Sequence, residues 1–222
     1  MTQRVLIYTP YERIWHWLQA VGIFALALTG LVIHRPDLFG VVPFTLAIHI
    51  HNGLGLILLF NAFLGLFFYV TTGTIRQYLP EPHDFISLGT AQLMYYVRGI
   101  FRGAPHPLEK TSERRLNPLQ QVTYLVILNV LIPLQLISGL LMWGAQMQPD
   151  LLKSVGGLAV LSLVHTLGAW AFLAFIVVHV YLTTTGTTPL SNIKAMITGY
   201  ETLPAKSHAA EVERLARREE TE

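Results

Sequence analysis

The sequence predicts an all-α integral membrane protein: a four-helix up-down bundle with one additional amphipathic helix on its cytoplasmic side. Three observations predict it. Of 222 residues, 52% are hydrophobic and only 13% charged, too apolar for a soluble domain of this size. Four stretches, at about residues 14–33, 46–71, 119–143 and 157–184, each reach the roughly 20 apolar residues that a bilayer crossing needs. Basic residues are unevenly divided among the segments that join these stretches, as the positive-inside tendency requires.

Backbone groups find no water inside a bilayer, so each stretch must close its own hydrogen bonds as a helix. The first is "IWHWLQAVGIFALALTGLVI" and the second "LAIHIHNGLGLILLFNAFLGLFFYVT". The third carries Pro133, which removes one ladder bond and predicts a kink there. The fourth, "GLAVLSLVHTLGAWAFLAFIVVHVYLTT", completes the set. Between the second and third lies a long polar connection holding "DFISLGTAQLMYYVRGIF". Leu93, Val97, Ile100 and Phe101 fall on one helical face there, which reads as a helix lying in the membrane surface.

The N-terminal segment, the long connection and the C-terminal tail hold 13 of the 15 Lys and Arg residues; the two short loops hold only Arg35 and Lys153. That places both termini and the long connection in the cytoplasm, with the chain multi-pass in its membrane. Residues 1–200 then form the membrane domain and 201–222 a cytoplasmic tail. The first residues, "MTQRVLIYTPYER", lack the pattern of a cleavable signal. The net charge of +2 with scattered basic residues gives no footprint for nucleic acid.

The chemistry lies in the histidines. The chain has nine of them and no cysteine, which excludes disulfides, thiolate zinc sites, iron–sulfur clusters and thioether-linked haem. Five lie in or near spans: His16, His49, His51, His165 and His179. Ionisable residues inside a membrane are rare and usually face the bundle interior. His165 and His179 are 14 residues apart, which is about 3.9 turns and about 21 Å of helix rise. They share nearly one face at two depths. In an up-down bundle His16 meets the level of His179, and His51 the level of His165. Two imidazoles from facing helices suit a six-coordinate b-type haem, held by axial ligands and a packed pocket. Two such pairs predict two haem b groups. Zinc would need three or four ligands at one point, and these divide between two depths.

Glycines repeat the spacing. Fourteen residues beyond His16 is Gly30, and fourteen beyond His51 is Gly65, so each helix offers histidine at one depth and glycine at the other. A flat macrocycle close to a helix favours a position without a side chain; Gly139 offers another on the third span. Glycines also aid ordinary membrane-helix packing. His49 competes with His51 but points about 200° away from it; Gly65 in register and the following "NGLG" favour His51. His34 reads as a surface residue, and His83, His106 and His208 lie outside the spans. Trp15 and Trp17 suit the interfacial aromatic belt. Met142 and Met147 read as packing, and Asn61, Asn129 and Gln135 as polar residues bonding across helices or orienting a ligand.

Four pieces carry a resemblance: "RIWHW", "HNGLG", "RLNPLQ" and "HTLGAWAFLAFIVVHVY". Together they resemble the di-haem cytochrome b subunits of bacterial respiratory enzymes. Those include the gamma subunit of formate dehydrogenase, the b-type subunit of nickel–iron hydrogenase and the thiosulfate reductase cytochrome b subunit. The resemblance implies that His16 and His179 ligate a cytoplasmic haem iron and His51 and His165 a periplasmic one. It implies a quinone site, for menaquinone or ubiquinone, beside His179 and near Asn117 and Gln120, although Pro118 departs from the formate dehydrogenase pattern. It also implies a periplasmic redox partner subunit, an iron–sulfur protein or a cytochrome c. A haem-bearing membrane reductase without a quinone site, and a haem-free membrane anchor, are the other readings that the residues leave open.

Overall fold

The computed structural model describes residues 2–79, 85–104, 115–150 and 156–204, with the single positions 107 and 152. His83, His106, His208, Lys153 and the tail beyond residue 204 fall outside these.

Among the described residues, four helices are long and apolar enough to cross a membrane. They are α1 (Pro10–His34), α3 (Phe44–Thr71), the run Pro118–Gly144, and α7 (Gly157–Thr183). A single turn, α2 (Pro36–Phe39), follows α1. The chain is an integral membrane helical bundle, as its composition predicts. It divides into two compact units, one of residues 14–71 and 127–182, the other of residues 1–13, 72–126 and 183–222.

The first unit holds the greater part of all four spans. On α1, Ile14, Val21, Phe24 and Leu28 form an exposed apolar stripe, and Phe60, Phe63 and Phe67 do so on α3. In a soluble protein such stripes would be an aggregation hazard; in a bilayer they are the lipid-facing side. The inward faces carry polar groups instead. Asn61 is buried and donates from Nδ2 to Gln19 Oε1 on α1 at 2.9 Å, while Trp15 Nε1 donates to the Asn61 carbonyl at 2.9 Å. Trp15, read from the sequence as an interfacial belt residue, is also a cross-helix anchor. Gly22 lets Leu58 in so closely that a Cβ would meet its side chain at 2.6 Å.

The third span is not one continuous α-helix. It runs as α5 (Pro118–Val126), a π-wound turn (Ile127–Leu131) and α6 (Ile132–Gly144). Pro133 has no N–H for the ladder and its ring crowds the turn before it, so the expected distortion takes the form of a π turn directly N-terminal to the proline. Met147, expected to pack, is 78% exposed.

In the second unit, the predicted amphipathic helix is α4 (Phe85–Met94), continued by a π turn (Tyr95–Gly99) and a 3-10 turn (Ile100–Arg102). Ile86, Leu93, Val97 and Phe101 are exposed along it while Gly89 and Gln92 are buried. That one-sided apolar stripe is what a helix in the membrane interface presents. The sequence reading missed a two-stranded antiparallel ribbon, β1 (Thr2–Leu6) with β2 (Tyr200–Pro204), with Leu6 opposite Tyr200. Between α7 and β2 runs α8 (Ser191–Thr198), ended by Gly199 at φ 88°. Only glycine suits that position, since a Cβ there would also meet the Tyr8 carbonyl oxygen at 2.7 Å.

Candidate functional site: two histidine pairs and a capped helix start

Within the first unit, His16 on α1 faces His179 on α7 with ring centres 6.2 Å apart. His51 on α3 faces His165 on α7, also at 6.2 Å. The four histidines are therefore sorted into two pairs, one near each end of α7. His49 is exposed and bonds through Nδ1 to the Thr45 carbonyl of its own helix at 2.7 Å, so it takes no part in either pair. Among the described residues, no three His, Cys, Asp or Glu side chains converge on one point as a metal cluster.

A haem iron fits on three counts, the first at both pairs and the other two at His51 and His165. Two imidazoles bonded to one metal from opposite sides, with metal–nitrogen bonds of about 2.0 Å, have ring centres about 6 Å apart. Both pairs show that separation without approaching hydrogen-bond contact. The second count is the state of the ring nitrogens. Thr29 Oγ1 donates to the Ala25 carbonyl at 2.8 Å and lies 2.9 Å from His51 Nδ1. With its hydrogen bonded to that carbonyl, the hydroxyl is placed to accept from Nδ1–H, the tautomer that leaves the Nε2 lone pair bare. Ser138 does the same for His165: its Oγ donates to the Leu134 carbonyl at 2.6 Å and lies 2.8 Å from Nδ1. The third count is steric. A Cβ on Gly30 would stand 3.5 Å from His51 Cε1, and one on Gly139 would stand 3.3 Å from His165 Cε1.

The other pair is built differently. His16 Nδ1 is buried with no hydrogen-bond partner. The Phe175 ring, one turn before His179 on α7, stacks on its imidazole at 5.3 Å. Gly65, expected to leave room for a macrocycle, lies against Trp15 instead: a Cβ there would meet indole Cε2 at 2.7 Å. In this structure Gly65 seats an indole, and that indole also stands edge-on to Tyr69 at 5.6 Å.

Asn117 and Gln120 belong to the second unit, and they bond to each other. Gln120 N donates to Asn117 Oδ1 at 2.9 Å, and Asn117 N donates to Gln120 Oε1 at 3.0 Å. This is a reciprocal capping box at the start of α5, with Pro118 as the first helical residue. Asn117 Nδ2 also donates to the Tyr96 hydroxyl at 3.0 Å. Burial raises the Tyr96 phenol above its ordinary pKa of 10.0, so it stays a neutral hydrogen-bonding group at any physiological pH. A second capping box starts α1. Thr9 N donates to Glu12 Oε2 at 2.8 Å, Glu12 N donates to Thr9 Oγ1 at 3.3 Å, and Arg115 reaches Glu12 Oε1 at 2.7 Å.

Sequence reading missed Thr29 and Ser138. The signal was present: a hydroxyl residue directly precedes glycine in two spans, in "LTGL" at residues 28–31 and "ISGL" at residues 137–140.

Residues 7–199 match the prokaryotic cytochrome b561 family. The chain is 31% identical over 201 residues to the protein named cytochrome YdhU of Escherichia coli, across 89% of this chain and 75% of that one. It is 27% identical over 186 residues to the protein named as the protein-methionine-sulfoxide reductase subunit YedZ1 of Azospira oryzae, across 78% of this chain and 88% of that one. With a family match over nearly its whole length, and with imidazoles paired across its spans, the chain belongs to the prokaryotic cytochrome b561 family: it is a multi-pass membrane cytochrome of the b type that takes part in electron transfer.

Proposed function

We propose that the chain is the two-haem membrane subunit of a respiratory oxidoreductase, carrying electrons across the inner membrane between a periplasmic redox partner and the quinone pool. The observation that carries this reading is the pair of imidazole pairs, each 6.2 Å apart and set near opposite ends of α7. His16 and His179 would hold one haem b, His51 and His165 the other. When bound, haem supplies a one-electron ferric–ferrous couple. The protein supplies neutral imidazoles with bare nitrogens, a dry apolar surround and fixed positions at two depths. The 13-to-2 bias of basic residues supports both termini, and His16 with His179, on the cytoplasmic side. The resemblance to di-haem subunits supports quinone exchange at that level, with His179, Asn117 and Gln120 as its residues. The partner would be an iron–sulfur protein or a cytochrome c in the periplasm.

The test is haem stoichiometry and the reduced-minus-oxidised spectrum of the purified protein. Two low-spin b haems per chain are expected, with His16→Ala and His51→Ala each losing one and His49→Ala losing none. A single haem, or loss of haem from His49→Ala, would overturn the assignment.

A second reading is favoured by one observation. Both side chains expected to grip quinone are engaged in capping α5. A membrane haem subunit that delivers electrons to a reductase partner without those residues would agree with that engagement. The name of the Azospira relative, a reductase subunit, agrees with such a role. Quinol-driven haem reduction in Asn117 and Gln120 variants separates the two.

A further inference from the structure

We infer that Thr29 and Ser138 are positioning residues that make the two iron sites unequal, holding His51 and His165 as strong donors and setting the lower reduction potential at that pair. The inference rests on the two-haem reading above.

The geometry is twofold. Each hydroxyl sits one residue before a glycine, on the helix that precedes the histidine it serves. Thr29 and Gly30 on α1 seat His51; Ser138 and Gly139 on α6 seat His165. Each hydroxyl hydrogen points back into its own helix, to Ala25 and Leu134. With those hydrogens bonded to the helix, each oxygen is placed to accept from an imidazole. That arrangement corresponds to Nδ1–H tautomers with Nε2 bare. A Cβ on Gly139 would sit tightly against Cε1 of His165, and one on Gly30 in ordinary contact with Cε1 of His51. Hydroxyl and glycine together define one ring position.

Among the described residues, no hydroxyl bonds to a ring of the opposite pair. His16 Nδ1 is buried without a partner. A hydrogen bond from Nδ1–H raises the basicity of the ligating nitrogen. A more basic ligand stabilises ferric over ferrous iron and lowers the potential. The pair with two hydroxyl acceptors becomes the low-potential site. With haem held at both pairs, electron transfer from the His51 and His165 level to the His16 and His179 level would run downhill.

The test uses the full chain purified with its haems, comparing Thr29→Val and Ser138→Ala with the hydroxyl-retaining Thr29→Ser and Ser138→Thr. Redox potentiometry and haem stoichiometry are read together. In the first two variants one haem should shift upward and the other stay. A tenfold loss of ferric preference corresponds to about 59 mV for one electron. The hydroxyl-retaining variants should match the parent. Selective loss of one haem in Thr29→Val, restored in Thr29→Ser, would also support the role, because supporting bonds of this kind carry about 10–100-fold in metal affinity. Two retained haems with no shift, equal shifts in both, or the same loss in Thr29→Ser would overturn it. Fewer than two haems in the parent protein would instead sink the two-haem reading, and this inference with it.

Discussion

Asn117→Ala is the substitution whose consequences the structure specifies most closely. The side chain makes two bonds that alanine cannot. Oδ1 caps the Gln120 amide, and Nδ2 donates to the Tyr96 hydroxyl. Losing an N-cap costs about 1 kcal/mol. Losing the bond to Tyr96 costs about 1 kcal/mol more, since the site is buried and water cannot fully replace it. Gln120 Oε1 keeps the Asn117 backbone amide, so the box is half broken rather than removed. The sum, about 2 kcal/mol, corresponds to about a 30-fold rise in local opening. Amide hydrogen exchange across the first turn of α5, in detergent or nanodiscs, measures it. Asn117→Ser keeps a capping oxygen and should recover about half of the protection. Exchange in Asn117→Ala within about threefold of the parent would refute the capping argument. The same serine variant speaks to quinone. If quinol-driven haem reduction persists in it, the amide of Asn117 serves the helix and not the substrate.

Glu12→Ala removes a buried carboxylate that takes the Thr9 amide, the Thr9 hydroxyl and the Arg115 guanidinium. Breaking one side of such a pair costs about 3–5 kcal/mol, and the 18% exposure of the Arg115 side chain sets the lower end of that range. A fall in thermal stability that is largely relieved in Glu12→Ala with Arg115→Ala is expected; additive losses would show the pair is uncoupled. Gly65→Ala places a methyl group where the Trp15 indole lies. Overpacking of this kind costs about 1–3 kcal/mol, and the bond from Trp15 to the Asn61 carbonyl should break. Tryptophan fluorescence unchanged from the parent, with unchanged stability, would show that Gly65 faces open space rather than the ring.

Much of this architecture was legible in the residues. Span length and hydropathy mark four helices, because lipid leaves the backbone no alternative. The pairing of His16 with His179 and of His51 with His165 followed from a 14-residue spacing and an alternating topology alone. Other features were hidden for physical reasons. The β1–β2 ribbon joins segments nearly 200 residues apart, and Val5 and Ile7 alternate too briefly to announce a strand. The role of Gly65 depended on where the Trp15 side chain turns, which no period encodes. Asn117 and Gln120 carried a capping-box spacing in plain view, but their likeness to a quinone motif drew attention away from the local function. Thr29 and Ser138 went unread because a hydroxyl in a membrane helix usually bonds only its own backbone. Both do so here, and the partner they also accept from lies on another helix.

That last point ties the fold to the chemistry. A membrane interior makes an imidazole neutral and asks that its nitrogens be satisfied. One nitrogen of His51 and one of His165 are satisfied by hydroxyls whose own hydrogens are already committed to the helix. The remaining nitrogen of each is then a lone pair, with the other ring 6.2 Å away. Two lone pairs cannot bond one another, and 6.2 Å between ring centres is the separation of an edge-on aromatic pair as well as of two ligands on one metal. A metal between them satisfies both nitrogens, as a bridging water or a shared proton also can. Of the metals that imidazole favours, iron in a porphyrin needs two ligands and no third, which is what each level provides. On the two-haem proposal, the Thr-Gly and Ser-Gly steps belong to the iron site, although neither residue type would be expected to bind iron.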